Sequence, residues 1–146
     1  MLIKINQKVV LFIFSLICCI PTLALTANVA DKSAELKSIQ WQSWQDGVFK
    51  QAKKEHRLIL LYVYATWCHW CQQMESTTWK NKAVIQYVNS TFIPAKSDSD
   101  KDVSLLARYQ VVDLPSFVII DENGKAMKLI SGYLSPEDVM LKVKVP

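Results

Sequence analysis

The chain has 146 residues, of which 51% are hydrophobic and 21% are charged, and its formal net charge is +4. The 17 basic and 13 acidic residues are scattered along the chain, so there is no basic cluster of the kind that binds nucleic acid. Without an N-terminal segment of about 27 residues, about 119 residues with a charge of about +2 remain. That length suits one domain with a single core and excludes a second domain.

Residues 1–27 are typical of a secretory signal peptide. Two lysines precede an apolar run at 9–20, and Pro21 and several small residues follow it. We expect cleavage between about residues 24 and 30 and therefore an exported, periplasmic protein. An uncleaved membrane anchor over residues 9–25 is the alternative, but the short apolar run and its proline count against it.

The rest of the chain alternates helix and strand patterns. Residues 28–38 are polar and predict a flexible leader before a domain at 39–146. Apolar positions at helical spacing predict a helix at 43–55, and an apolar, β-rich run at 58–65 predicts a central strand buried on both faces. A helix is predicted from 68 to about 77, and the helical pattern at 82–89 is either its continuation after a kink or a separate short helix. The later predicted elements are a strand at 92–95, a helix at 102–109, a hairpin of strands at 116–120 and 126–131 with Asn-Gly at the tip of its turn, and a helix after 135. This order predicts an α/β fold with a central mixed sheet, a C-terminal antiparallel hairpin at one edge and flanking helices.

Cys68 and Cys71 are the two cysteines that remain after processing, too few for a disulfide-stapled scaffold. Two intervening residues allow a disulfide across one helical turn, which can accept and return two electrons. A helix that starts at Cys68 lowers the pKa of its thiol below the free value of about 8.5. We therefore predict that Cys68 is the nucleophile that forms a mixed disulfide, and that Cys71 resolves it.

The residues around the two cysteines predict a surface that binds substrate. Trp67 and Trp70 offer apolar area to a peptide, although packing over the end of the strand is the alternative, favoured more for Trp67 than for Trp70. His69 stabilises the Cys68 thiolate if it is protonated, and is otherwise an exposed helix residue without a tuning role.

The motifs also follow one another in a recognisable order. An apolar strand leads into Ala65-Thr-Trp-Cys-His-Trp-Cys71, followed by Lys96 at a strand end, Asp113-Leu-Pro-Ser-Phe-Val-Ile-Ile120 and Asn123-Gly124. This order resembles the thioredoxin superfamily, in particular exported thioredoxin-like proteins similar to the C-terminal domain of the membrane thiol-disulfide interchange protein. The resemblance implies a thioredoxin-like fold from about residue 39 onward and thiol-disulfide oxidoreductase activity. It also implies that Pro115 is cis and that Leu114 offers its N–H and C=O to an extended substrate.

One position departs from the family pattern. Thioredoxins commonly carry a buried Asp six residues before the first cysteine, where it helps to take the proton of the resolving thiol, and this chain has Tyr62 there. Lys96, the usual neighbour of that Asp, is present as a possible aid to proton transfer. Glu75, Tyr62 and water remain open as the group that accepts the proton of Cys71.

Rival functions fail on residue counts or stay open as alternatives. A closed zinc site needs four ligands, and His56 is the one further nitrogen donor beyond the motif. Haem attachment needs a histidine where Gln72 stands, so we expect neither metal nor cofactor. We predict a monomeric reductant of protein or peptide disulfides that receives electrons from a membrane donor. The alternatives are a disulfide-forming oxidant of the same fold, served by a membrane acceptor, and a non-catalytic binding or chaperone module.

Overall fold

The computed structural model describes residues 37–144. The predicted signal peptide at 1–27, its alternative as an anchor at 9–25, and all of the leader except residues 37 and 38 lie outside the described residues. Within 37–144, no helix combines the length and apolar character needed to cross a bilayer. The same residues contain no group of three or more His, Cys, Asp or Glu side chains placed to hold a metal ion.

The described residues form five strands and five α-helices. In chain order these are β1 (Gln42–Ser43), α1 (Asp46–Glu55), β2 (Leu58–Tyr64), α2 (His69–Ser76), a 3-10 helix (Thr78–Lys80), α3 (Lys82–Thr91), β3 (Phe92–Asp98), α4 (Val103–Tyr109), β4 (Ser116–Ile120), β5 (Ala126–Ser131) and α5 (Pro136–Lys142). The strands make one sheet in the order β1-β3-β2-β4-β5. β2 pairs parallel with β3 and antiparallel with β4, so the predicted mixed sheet with a hairpin at one edge is confirmed.

β2 lies at the centre of the sheet because both of its faces are apolar. Leu60 and Tyr62 project into a core formed with α2, α3 and α5. Ile59, Leu61 and Val63 project into a second core on the side of α1 and α4. All five side chains are fully buried, as expected of a continuous apolar run between two layers of helices.

One strand was not predicted, and the largest shifts in element boundaries concern α1 and β3. β1 was not predicted, because two polar residues beside β3 are too few to show an alternating pattern. The backbone of Gln45 is extended, so α1 begins at Asp46 rather than at residue 43. β3 continues past residue 95 to Asp98, because Lys96, Ser97 and Asp98 pair with β2 although they carry no apolar signal.

The segment at 82–89 was predicted either to continue the preceding helix or to form a separate one. It forms a separate helix, α3, which is capped by Asn81.

The 3-10 helix between α2 and α3 is bonded to the far end of the domain. The buried Thr78 hydroxyl donates a hydrogen bond of 2.7 Å to the Leu134 carbonyl, just before α5. The neighbouring Thr77 hydroxyl is exposed and bonds to Gln73 within its own helix.

We predict that Thr78→Val lowers the free energy of unfolding by about 1–2 kcal/mol, because it leaves the Leu134 carbonyl buried without a donor. Urea denaturation with the disulfide intact measures the change. Thr77→Val is the matched control and should cost less than about 0.5 kcal/mol, since water can replace its exposed bond. Equal losses in the two variants would contradict the structural role of Thr78.

Candidate active site

The reactive pair lies where β2 leads into α2. Residues 65–67 form a turn in which the Cys68 N–H donates to the Ala65 carbonyl at 3.3 Å. Cys68 is the N-cap of α2, and its Sγ accepts a hydrogen bond of 3.1 Å from the Cys71 N–H. The sulfur therefore takes the place of a capping oxygen, next to the positive end of the helix dipole.

Cys68 and Cys71 are joined by a disulfide, with their Cα atoms 5.2 Å apart. Their exposed fractions are 6% and 1%, so Cys68 is the more exposed of the two residues. The difference is in the order that the roles of Cys68 as nucleophile and Cys71 as resolving thiol require, and these roles stay predictions.

The loop before β4 lies against the pair. The peptide bond between Leu114 and Pro115 is cis, and the Leu114 side chain packs on both cysteines. The Pro115 carbonyl accepts a hydrogen bond of 2.8 Å from the Gly132 N–H, which fixes the loop to the residue after β5. Nothing within residues 37–144 bonds to the Leu114 N–H or C=O, and the binding of an extended substrate to these two groups stays a prediction.

An open groove of about 790 Å³ runs past Cys68, Trp67, His69, Trp70 and Leu114. The Trp67 side chain is 68% exposed and that of Trp70 is 54% exposed. The alternative that Trp67 packs over the end of the strand is therefore wrong. The turn carries Trp67 beyond the end of the sheet, where its Nε1 donates to Oδ2 of Asp100 at 2.9 Å.

His69 and Trp70 both stand on the exposed side of α2. The His69 ring centroid lies 5.4 Å from that of Trp70, which in turn lies 5.6 Å from that of Tyr133. The structure thus gathers every predicted substrate-contacting residue at one groove. Sequence reasoning missed Asp100, Asp113 and Tyr133, although Asp113 directly precedes Leu114 and the proline.

Tyr62 lies beneath the pair in the apolar core. Its ring stacks on Phe117 with centroids 5.5 Å apart, and its hydroxyl donates to the Cys71 carbonyl at 3.4 Å. Burial raises the pKa of Tyr62 well above its ordinary value near 10, and the charge of Glu75 adds to the rise. The phenol is therefore neutral at physiological pH and already directs its proton elsewhere, which makes it unsuited to accept the proton of Cys71.

Glu75 and Lys96 lie together on the other side of Cys71. A second opening of about 470 Å³ is shared by Cys71 and Glu75, one turn further along α2. The Glu75 Oε1 lies 3.8 Å from the Lys96 Nζ, and that nitrogen is 5.4 Å from the Tyr64 ring centroid. The arrangement offers Cys71 a carboxylate at a solvent-facing opening, with Lys96 beside the carboxylate.

Comparison with known proteins gives the same fold and motif. The Thioredox_DsbH family model, described as a protein of unknown function, DUF255, matches residues 30–126, more than half of the chain. Thioredoxin-1 of Drosophila melanogaster is 39% identical over 71 residues, or 49% of this chain. The chain spans 64% of the length of that thioredoxin and 13% of the length of a 28% identical protein of Caenorhabditis elegans, less than two thirds of either.

Two solved structures share the architecture. A DsbH oxidoreductase superimposes with a TM-score of 0.66 at 21% identity, covering 77% of this chain and 86% of that one. The oxidised C-terminal domain of Neisseria meningitidis DsbD gives a TM-score of 0.58 at 19% identity, covering 65% of this chain and 85% of that one. At these identities the likeness concerns the fold, and it confirms the predicted thioredoxin-like architecture.

We predict that Tyr62→Phe reduces the loss of stability at alkaline pH. The pKa of Tyr62 is raised in the folded chain. The folded chain therefore keeps the phenol proton above the pH, near 10, at which the unfolded chain releases it. The contribution of this group is therefore complete below about pH 10 and falls by up to about 1.4 kcal/mol per unit above it. Chemical denaturation between about pH 8 and 11 should give a shallower decline for the variant. Identical slopes in the two proteins would contradict the raised pKa.

Proposed function

We propose that this chain, which belongs to the Thioredox_DsbH family of thioredoxin-like proteins and is a thiol-disulfide oxidoreductase, acts as an exported reductant of protein disulfides. Export rests on the signal-like residues 1–27. The chain acts as a monomer and takes its electrons from a dithiol donor in the membrane.

The reduced form carries out two exchange steps. The Cys68 thiolate attacks one sulfur of a substrate disulfide, releases the other as a thiolate that takes a proton from water, and forms a mixed disulfide. Cys71 then loses its proton and attacks the Cys68 Sγ, which releases the second substrate thiol. Two electrons pass to the substrate, and the Cys68–Cys71 disulfide returns to the dithiol form by the reverse exchange with the membrane donor.

The negative charge beside Cys68 is the observation that favours a reductant over an oxidant. Two carboxylates, Asp100 and Asp113, line the groove that contains Cys68, and no Lys or Arg belongs to its lining among the described residues. Negative charge disfavours a thiolate relative to a thiol. Strong oxidants of this class owe their potential to a stabilised reduced form, so a groove that opposes the thiolate favours the disulfide and makes the dithiol a better electron donor.

Substrate binding follows from the same groove. An extended segment that pairs with the Leu114 N–H and C=O runs directly past Cys68. The exposed rings of Trp67 and Trp70 then cover the segment on its apolar side, beside His69. Both bonds use backbone atoms, so the pairing accepts many substrate sequences.

Glu75 accepts the proton of Cys71 in this proposal. Tyr62 occupies the position of the usual buried acid but is a neutral phenol whose proton points at the Cys71 carbonyl. Glu75 shares a solvent-facing opening with Cys71, and Lys96 holds its carboxylate from the sheet side. The general base therefore lies at this opening, and not in the core where the family usually has an acid.

The proposed function is tested by measuring both the catalytic activity and the reduction potential of the Cys68–Cys71 pair. The full chain should catalyse insulin reduction by dithiothreitol, and Cys68→Ser should abolish the catalysis, whereas Cys71→Ser should accumulate the mixed disulfide. Equilibration with glutathione should give a potential closer to the value of about −270 mV of thioredoxin than to the value of about −120 mV of a strong periplasmic oxidant. A potential near the latter would make the chain an oxidant. Absence of catalysis that depends on Cys68 would leave only a binding module.

We predict that Glu75→Gln prolongs the mixed disulfide with a substrate peptide by about tenfold to a hundredfold, because general-base assistance is lost. Rapid mixing and acid quenching measure its lifetime as a function of pH. Lys96→Met should act in the same direction but more weakly, since it removes only the neighbour of Glu75. Glu122→Gln, at the opposite end of the sheet, is the charge-matched control. If Glu75→Gln and this control share the wild-type pH profile, Glu75 is not the base.

A further inference from the structure

The groove beside Cys68 carries a charge opposite to that of the chain as a whole. The formal net charge of the chain is +4 with histidine counted as neutral, yet within residues 37–144 the groove is lined by two carboxylates, Asp100 and Asp113, together with His69 and without any Lys or Arg. Lys101 follows Asp100 in the chain, but its side chain contacts a different carboxylate. Its Nζ lies 3.6 Å from Oδ2 of Asp98, which is not part of the groove lining. The groove is therefore a local acidic site.

Both carboxylates have fixed backbones. The Asp100 N–H donates to Oδ1 of Asp98 at 3.1 Å, and its Oδ2 accepts the Trp67 indole bond. The Asp113 carbonyl accepts a bond of 2.7 Å from the Ser116 hydroxyl, while its exposed carboxylate has no partner among the described residues. Asp113 also directly precedes Leu114, so its carboxylate lies at the edge where a substrate segment pairs.

Apolar surface completes the site between these charges. Val103 is 68% exposed and Val112 is 84% exposed, and both line the groove together with Trp67. An apolar wall with a carboxylate at its rim matches a side chain that has an aliphatic stem and a cationic head. Lysine and arginine have this shape, and an arginine head also stacks on an indole face.

From these features we infer that the groove selects substrate segments that carry Lys or Arg next to the cysteine to be reduced, with Asp113 and Asp100 as the residues that determine this specificity. The inference rests on the proposed function and names the substrate class of the same site. The stem of the basic side chain lies on Val112 and Trp67, and its charge faces the carboxylates. Acidic segments are disfavoured by the same charges.

Short peptides that differ only in the residues flanking one cysteine test the inference. The flanks are lysine or glutamate, and each cysteine is blocked as a mixed disulfide with 2-mercaptoethanol. Release of the peptide thiol by the reduced full chain gives kcat/KM, which is divided by the rate with dithiothreitol to remove intrinsic reactivity. At low ionic strength the lysine peptide should be preferred by about tenfold. At about 1 M salt, where the Debye length is about 3 Å, the preference should fall below about twofold.

The variants assign this preference to the two carboxylates. Asp113→Asn should reduce the ratio to about threefold, and the double variant D100N/D113N should bring it close to unity. Glu122→Gln removes the same charge at the far end of the sheet and should keep the wild-type ratio. A wild-type ratio near unity, a preference that survives in D100N/D113N, or an equal loss in Glu122→Gln would each overturn the inference.

A binding measurement separates this inference from the proposed function. Peptides with serine in place of cysteine are titrated against the oxidised full chain, and the fluorescence of the groove tryptophans reports binding. Lysine-selective binding without reduction of any blocked peptide would refute the proposed function and leave the selectivity standing. Reduction of both peptides at equal normalised rates would refute the selectivity alone.

Discussion

The antiparallel register of β2 and β4 determines where the chemistry takes place. Val63, near the end of β2, pairs with Ser116, the first residue of β4. The turn that leads to Cys68 and the loop that contains Pro115 therefore lie at the same end of the sheet. A slip of one residue would turn every side chain of β2 to the other face and bury the wrong set. Because both faces of β2 are fully buried, the core itself holds the sulfurs opposite the Leu114 backbone.

The same core explains why the proposed proton route differs from that of typical thioredoxins. Tyr62 stacks on Phe117 and meets Trp79 edge-on with centroids 5.4 Å apart, so the space beneath Cys71 is filled by rings. An ionised acid there would cost several kcal/mol of desolvation without a paired cation. A phenol fills the volume and still satisfies the Cys71 carbonyl. In the proposed mechanism the base for Cys71 therefore lies outside the core, at the opening that Cys71 shares with Glu75.

Much of this architecture could be predicted from the sequence, because burial leaves a periodic signal. The run at 58–65 identified β2, and the Asn-Gly turn identified the hairpin of β4 and β5. β1 and the end of β3 were missed because their pairing uses backbone bonds that polar side chains do not reveal. The alternative that placed Trp67 over the end of the strand was wrong for a related reason. Its indole is held by Asp100, 33 residues away, and no local pattern reports such a contact.

In the proposed function, the acidic groove links the direction of electron transfer to substrate selectivity, since one pair of carboxylates acts on both. Negative charge beside Cys68 opposes its thiolate, which makes the dithiol a stronger donor but lowers the fraction that is ready to attack. A substrate that brings a cation into the groove offsets this charge while it is bound, so the thiolate is favoured when a partner is in place. The Cys68 position at the N-cap supplies the remaining stabilisation through the helix dipole and the Cys71 N–H. The two proposals thus couple reactivity to recognition through electrostatics, and in both a basic residue beside the target cysteine contributes.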